Sequence, residues 1–304
     1  MILKQVIKLS LVFLKKIYYN IYIKRKEMII MNKVYAMSDI HGKWQFVRDF
    51  ILRNKIKENF TKEDTLILLG DTGANFFFNH RDEEFKEKLE SMPITYFIIR
   101  GNHEERPGIC MAKNPNDWHI ETYFGNDVLV ENKYPSIKYA MDEPTIYQIP
   151  YLADSSDETL KYFSTLILPG AYSVDKYYRL QNGWSWFSNE QMTTEEKEHA
   201  WDIIRDNAYK FDIVLSHTAP CSFEPTDLFL SCVDQSMVDK DTERFLGAVE
   251  YALEDYKAWL WGHYHEFRDY PRTDDKKRTM LFNDCAINLI DYMLSDIKDG
   301  VNVL

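Results

Sequence analysis

Beyond Lys33 the chain alternates short, wholly apolar runs with longer stretches whose apolar residues recur at helical spacing. Residues 34–38, 65–70 (TLILLG) and 94–99 (ITYFII) read as buried strands, because no polar residue alternates through them. Between them, residues 44–56 put Trp44, Val47, Phe50 and Ile51 on one helical face, and residues 81–91 form a charged helical stretch. Residues 165–169, 212–216, 258–261 and 278–282 are again strand-like, whereas 193–205 and 239–256 are helical. Thr193 followed by Glu196 is the signature of a capping box. This β-α-β alternation predicts an α/β fold whose central sheet is covered by helices. Residues 104–160 contain Pro107, Pro115, Pro135, Pro144 and Pro150 and are expected to form an irregular insertion with short strands such as 145–149. With no repeat and no low-complexity linker, residues 33–304 are expected to be one domain.

Residues 1–32 do not share the pattern and are expected to be a basic leader outside that domain. The longest apolar run among the first thirty, Leu11 to Leu14, ends at Lys15. A membrane span needs about 20 apolar residues, and no small-residue cleavage site follows the run. Two readings remain for the leader. Either it is translated ahead of a working start at Met28 or Met31, or it is a basic amphipathic helix on an anionic membrane. Membrane contact is expected only under the second.

Composition sharpens this division. The net charge of −11 combines +6 in residues 1–30 with −17 in the remaining 274. So acidic a body repels a polyanion, which argues against a long nucleic acid as partner. Any phosphate chemistry must rest on positive charge supplied at one spot. The apolar share of 45% is enough for a sizeable core. Cys110, Cys221, Cys232 and Cys285 form no CxxC pair and are expected to be reduced, buried thiols in a cytoplasmic protein.

The candidate chemistry lies where strands end. Five of eight histidines fall in short motifs: SDIHG with Asp39 and His41, RGNHE with Asn102 and His103, LSHT with His217, and GHYH with His263 and His265. LGD adds Asp71. Residues i and i+2 at a strand end face the same way, so Asp39 with His41, and His263 with His265, can chelate together. Two carboxylates, one amide oxygen and four imidazoles suit two divalent ions of the Mn, Fe, Zn, Co or Ni type. Two such ions outweigh Asp39 and Asp71, and the surplus positive charge would attract a phosphate. Core packing has no use for so many polar groups at strand ends.

In order, D-x-H, GD, GNHE, H and GHxH resemble the pattern of the calcineurin-like metallophosphoesterases, from Lys33 to about Asp284. The resemblance implies a four-layer α/β/β/α sandwich with a two-metal centre. It implies that Asp39, His41 and His265 hold one metal, that Asp71 bridges, and that Asn102, His217 and His263 complete the second. His103 would be the general acid, and a metal-bridging hydroxide would attack the phosphorus of a small phosphomonoester or phosphodiester. RGNHE is also worded as in the Ser/Thr protein phosphatases, but Ala74 and Asn75 stand where those relatives carry the Asp-Arg of GDxxDRG. A protein phosphatase is therefore the alternative, and a non-catalytic binding scaffold on the same fold the alternative of another class. A substitute phosphate clamp is expected from Arg100, Arg106, Lys176 or Arg179, with Asn75 as a neutral donor. His80, His119 and His199, outside the motifs, are expected at the surface or at helix caps. Trp184, Trp186 and Phe187 are expected to pack a strand face or loop rather than stack a nucleobase. Phe76 to Phe78 are expected as either a pocket wall or loop core.

Overall fold

The computed structural model describes residues 33–54, 59–152, 159–229, 231–271, 274–296 and 301–304. The expected leader, residues 1–32, lies outside them. Strands β1 (Val34–Met37), β2 (Thr65–Leu68) and β3 (Thr95–Ile98) run parallel, with Val34 opposite Thr65 and Thr65 opposite Thr95. They form the centre of a seven-stranded sheet. It continues through β6 (Ile137–Ala140), β5 (Asn126–Glu131) and β4 (Trp118–Tyr123) on one side and ends at β13 (Ile287–Asn288) on the other. The second sheet has six strands in the order β11 (Arg268–Asp269), β12 (Lys277–Met280), β10 (Ala258–Trp261), β9 (Ile213–Ser216), β8 (Leu160–Leu168) and β7 (Thr145–Leu152). Its central strands are parallel too, and in both sheets antiparallel pairing is confined to the flanks.

The central strands β1, β2, β3, β9 and β10 are buried throughout and mostly apolar because they are covered on both faces. Val34, Ala36, Ile67 and Leu69 point inward against Ile167, Ile213, Leu215 and Leu260 of the second sheet. Their neighbours Tyr35, Met37, Leu66 and Leu68 point outward onto Val47 and Phe50 of helix α1 (Gln45–Asn54) and Phe85 and Leu89 of α2 (His80–Glu90). The second sheet's outer face packs likewise, with Val214, Trp259 and Trp261 against α5 (Thr194–Asp206) and α6 (Asp241–Ala252). The result is the expected α/β/β/α sandwich. The expected capping box at Thr193 and Glu196 is present, each side chain bonded to the other's backbone N–H.

Residues 104–160 are more regular than their prolines suggest. They hold α3 (Pro107–Lys113), the β4–β5 hairpin, β6 and β7. Pro107 opens α3, where a missing N–H costs nothing. Pro150 sits in β7, an edge strand with a ladder on one side only. The cysteines also depart from expectation, because only Cys110 is buried, whereas Cys221 and Cys232 are exposed and all four are free. Among the described residues no helix is long and apolar enough to cross a membrane.

Leu215 lies in the layer shared by both sheets, fully buried. We expect Leu215→Ala to lower the unfolding free energy by about 2–5 kcal/mol, read from urea denaturation.

Candidate active site

Parallel strands deliver their carboxyl ends to a common edge, and the two sheets meet there. The loop after β1 is tied to the loop after β2 by the N–H of His41 donating to the carbonyl of Asp71 (2.8 Å). The Gly262 N–H donates to the carbonyl of His217 (2.9 Å), and the Gly170 N–H crosses between sheets to the carbonyl of Arg100 (2.9 Å). The chain turns so sharply here that Asp39, His41, Asp71, His263 and His265 all adopt positive φ, between 44° and 74°. Side chains rarely tolerate that region, and such outliers collect at functional sites. Glycine is required where backbone passes a ligand: a Cβ on Gly262 would strike Ser38 Oγ and Asp39 Oδ2, and one on Gly70 would strike the His217 ring.

The side chains converge in two groups. Asp39, His41, Asp71 and His265 form one, Asp71, His217 and His263 the other, and within each the donor atoms lie within 4.8 Å of one another. Asp71 belongs to both. Its Oδ1 accepts the N–H groups of Asn102 (2.9 Å) and His103 (2.8 Å) and lies 3.3 Å from His217 Nε2. Its Oδ2 faces His41 Nε2 at 3.9 Å. Asn102 Oδ1 sits 2.9 Å from His217 Nε2 and 3.1 Å from His263 Nδ1, because its Nδ2 donates to Ser173 Oγ. His217 Nδ1 donates to the Leu69 carbonyl (2.6 Å), which aims Nε2 inward.

These residues fit divalent cations. Asp39 Oδ1 is buried without a hydrogen-bond partner, 3.6 Å from His265 Nε2 and 3.9 Å from His41 Nε2. Those two nitrogens in turn face each other at 2.9 Å. Lone pairs pointed at one small volume are what a cation satisfies. Electrostatics agree. Burial above all lowers His41 and His265 to about 4 and holds His263 well below its usual value, so these imidazoles are neutral donors. Burial raises Asp39 to about 7. At Asp71 burial opposes charge, yet His103 and His217 hold it well below the usual carboxylate range. His217 is likewise opposed by burial, but Asp71 raises it to about 9.

His103 stands beside both groups, its Nδ1 3.8 Å from Asp71 Oδ2 and its ring stacked on Phe76. Arg179 Nη2 reaches both ring nitrogens, at 2.9 and 3.0 Å. Arg179 lies on α4 (Lys176–Gln181), and its Nε is held by both oxygens of Asp175 at 2.8 Å. Of the cations expected near phosphate, it is the one brought against the catalytic histidine candidate. Arg106 is not brought there, because its guanidinium is engaged by Glu196 and the carbonyls of Asn189 and Gln191. Arg100 is buried and donates to the Glu190 carbonyl (2.5 Å), and Asn75 Oδ1 accepts from Lys86 (2.8 Å) on another surface. Lys176 lies over the Trp186 ring.

Glu104, next to His103 in the chain, carries no role that its motif suggests. It is a staple: Oε2 accepts from the N–H of Thr72, the N–H of Gly73 and Thr72 Oγ1, while Oε1 accepts from Gly101 N–H. Asp82 does the same for the N–H groups of Phe76, Phe77 and Phe78. In the sequence these two appear only as acidic residues near the motif loops. Trp184 is more than half exposed and, with Phe76 and Phe77, lines a cavity of about 590 Å³ beside His41 and His103. It therefore lines the site, where packing against a strand face or loop was expected. His119 and His199 are exposed, as expected, and His80 opens α2.

Fold and site together define a two-metal hydrolase built on an α/β/β/α sandwich. The model of the family described as calcineurin-like phosphoesterase matches residues 32–267, and the chain belongs to that family. It is therefore a phosphoric ester hydrolase of a family that depends on two divalent metal ions. Among solved structures the chain is similar to TT1561 of Thermus thermophilus, with 10% identity, 90% of this chain and 98% of that one covered, and a TM-score of 0.47. It is also similar to a dimetal phosphatase from Danio rerio, with 9% identity, coverage of 85% and 92%, and a TM-score of 0.46. A phosphopantetheinyl hydrolase from Mycobacterium tuberculosis has 11% identity, coverage of 90% and 96%, and a TM-score of 0.36. No curated protein matches the chain.

Two outcomes are expected of the metal centre. Asp71→Asn should weaken both ions because the residue belongs to both groups, whereas His265→Ala should lower the metal content by one ion, measured by elemental analysis after dialysis. Metal must displace protons from Asp39 and His217, whose free forms ligate only as pH rises through about 7 and about 9. Affinity should therefore increase from acid toward pH 9, with proton release on metal addition seen in calorimetry across buffers of different ionisation enthalpy.

Proposed function

We propose that the chain hydrolyses a phosphoester of a small substrate, with His103 as general acid and Arg179 as the phosphate-binding cation. The observation that carries this reading is the contact of Arg179 Nη2 with both His103 ring nitrogens, next to the carboxylate shared by the two ligand groups. In this reading Asp39, His41, Asp71 and His265 hold one ion, and Asp71, Asn102, His217 and His263 the other. Mixed carboxylate, amide and imidazole donors suit borderline divalent ions of the Mn, Fe, Zn, Co or Ni type alike. When bound, the two ions supply Lewis acidity and offset phosphoryl charge.

The chain's own residues do the rest. Asp71 fixes the His103 backbone through its N–H, and Phe76 fixes the ring, so the imidazole has one direction in which to deliver a proton. Burial and the Arg179 cation both lower the His103 pKa. A phosphate arriving beside His103 and Arg179 adds negative charge, draws a proton onto the imidazole and takes over the guanidinium as its partner. Asp175 holds Arg179 in place beforehand, so little is lost in ordering it. The acidity of the body supports a small substrate over a long nucleic acid. The four free cysteines support a reducing, cytoplasmic setting.

With manganese-loaded protein, p-nitrophenyl phosphate and its bis-ester are the test substrates. His103→Ala should lower kcat by roughly 10²–10⁴ while two ions per chain stay bound. Arg179→Gln should raise KM roughly tenfold, the size of a lost charge-assisted hydrogen bond. Absence of turnover on every phosphoester by protein holding both metals would leave the fold without this activity.

A further inference from the structure

His103 lines two cavities, both of which reach the ligand groups. The first, of about 590 Å³, also touches His41 and is walled by Phe76, Phe77, Trp184, Arg81 and Arg179. The second, of about 400 Å³, touches Asp71, Asn102, His263 and His265 and extends past Leu228, Phe229, Val238 and Tyr264. A phosphoryl group held against His103 thus has open space in two directions. A site confined to monoesters needs room for one substituent and closes around the remaining phosphate oxygens; two substituents need two rooms.

Resting on the hydrolysis proposed above, we propose that the substrate is a phosphodiester whose planar aromatic arm lies in the first cavity and whose uncharged arm lies in the second. The first cavity offers the half-exposed faces of Phe77 and Trp184, and aromatic faces of that kind stack planar rings. Arg81 lies over the Phe77 ring at 4.9 Å and has no carboxylate partner among the described residues, so it is free to meet an electron-rich ring or its polar substituents. The second cavity is walled by aliphatic and aromatic side chains with Asp239 and Glu243, while Asp175 is paired with Arg179 and the cation Lys240 with Glu224. That arrangement repels a second phosphate and accepts a neutral group. Water adds across one ester bond: a P–O bond forms to the water oxygen, the P–O bond to the departing arm breaks, and a proton reaches the departing oxygen. The products are a monoester and an alcohol. His103 faces both cavities and can serve a departing oxygen on either side.

The test uses the full chain loaded with manganese and three probes: p-nitrophenyl phosphate, bis(p-nitrophenyl) phosphate and the p-nitrophenyl ester of thymidylate. Both diesters should exceed the monoester in kcat/KM by roughly tenfold or more, the scale of one stacked ring. A monoester cleaved faster than both diesters overturns the proposal and leaves phosphoester hydrolysis standing. No cleavage of any probe defeats the underlying reading instead. Trp184→Ala should raise KM for the thymidylate ester roughly tenfold with kcat held, and Trp184→Phe should restore it. Val238→Trp, which fills the second cavity, should reduce the ratio of diester to monoester kcat/KM. Unchanged KM in the first variant together with an unchanged ratio in the second overturns the assignment of the arms.

Discussion

The structure depends on one constraint: carboxyl ends of strands from two separate sheets must bring seven polar side chains to one point. Five of the seven stand on residues with positive φ, a conformation costing about 1–2 kcal/mol for a residue with a side chain. The surroundings hold these turns in place. Glu104 gathers three backbone N–H groups of the second and third motif loops, and Asp71 itself takes the N–H groups of Asn102 and His103. Burying Asp71 so deeply is tolerable only because each oxygen faces donors or imidazoles, since an unpaired carboxylate there would be costly.

Around the metal groups lies a layer of residues that orient rather than react. Ser173, held by Glu190, accepts from the Asn102 amide nitrogen and thereby turns its oxygen toward His217 and His263. Thr218 donates to the buried Glu243 and lies 3.1 Å from Tyr264 OH, which joins the loops carrying His217 and the last two histidines to α6. Asp175 anchors Arg179. Each of these is a short polar side chain, and of Ser173, Thr218 and Asp175 only Thr218 falls within a motif, LSHT.

Much of this was legible in the sequence because two physical signals coincide. Wholly apolar runs mark strands covered on both faces, and a polar i, i+2 pair directly after such a run marks ligands at the strand end. Asp39 with His41 and His263 with His265 are both of that kind. The cations were not legible. Arg100, Arg106 and Arg179 look alike in the chain, but Glu196 claims one, the Glu190 carbonyl another, and α4 carries the third to His103. Such allocation is decided by tertiary neighbours far along the chain. The regularity of 104–160 is hidden for a related reason: proline signals a break in the sequence, although a helix start and an edge strand both accommodate it.

Asp39, His41, Asp71 and Asn102 come from the seven-stranded sheet, and His217, His263 and His265 from the six-stranded one. Ions held by these two groups would be bonded to both halves of the sandwich at once. Their binding energy is consequently linked to holding the halves together: at a free metal concentration of about 1,000 Kd the linkage is worth about 4 kcal/mol. That is a large share of an ordinary domain's stability. The ions would then act as rivets as well as reagents, and depletion of metal would loosen the sandwich along the edge that carries the site.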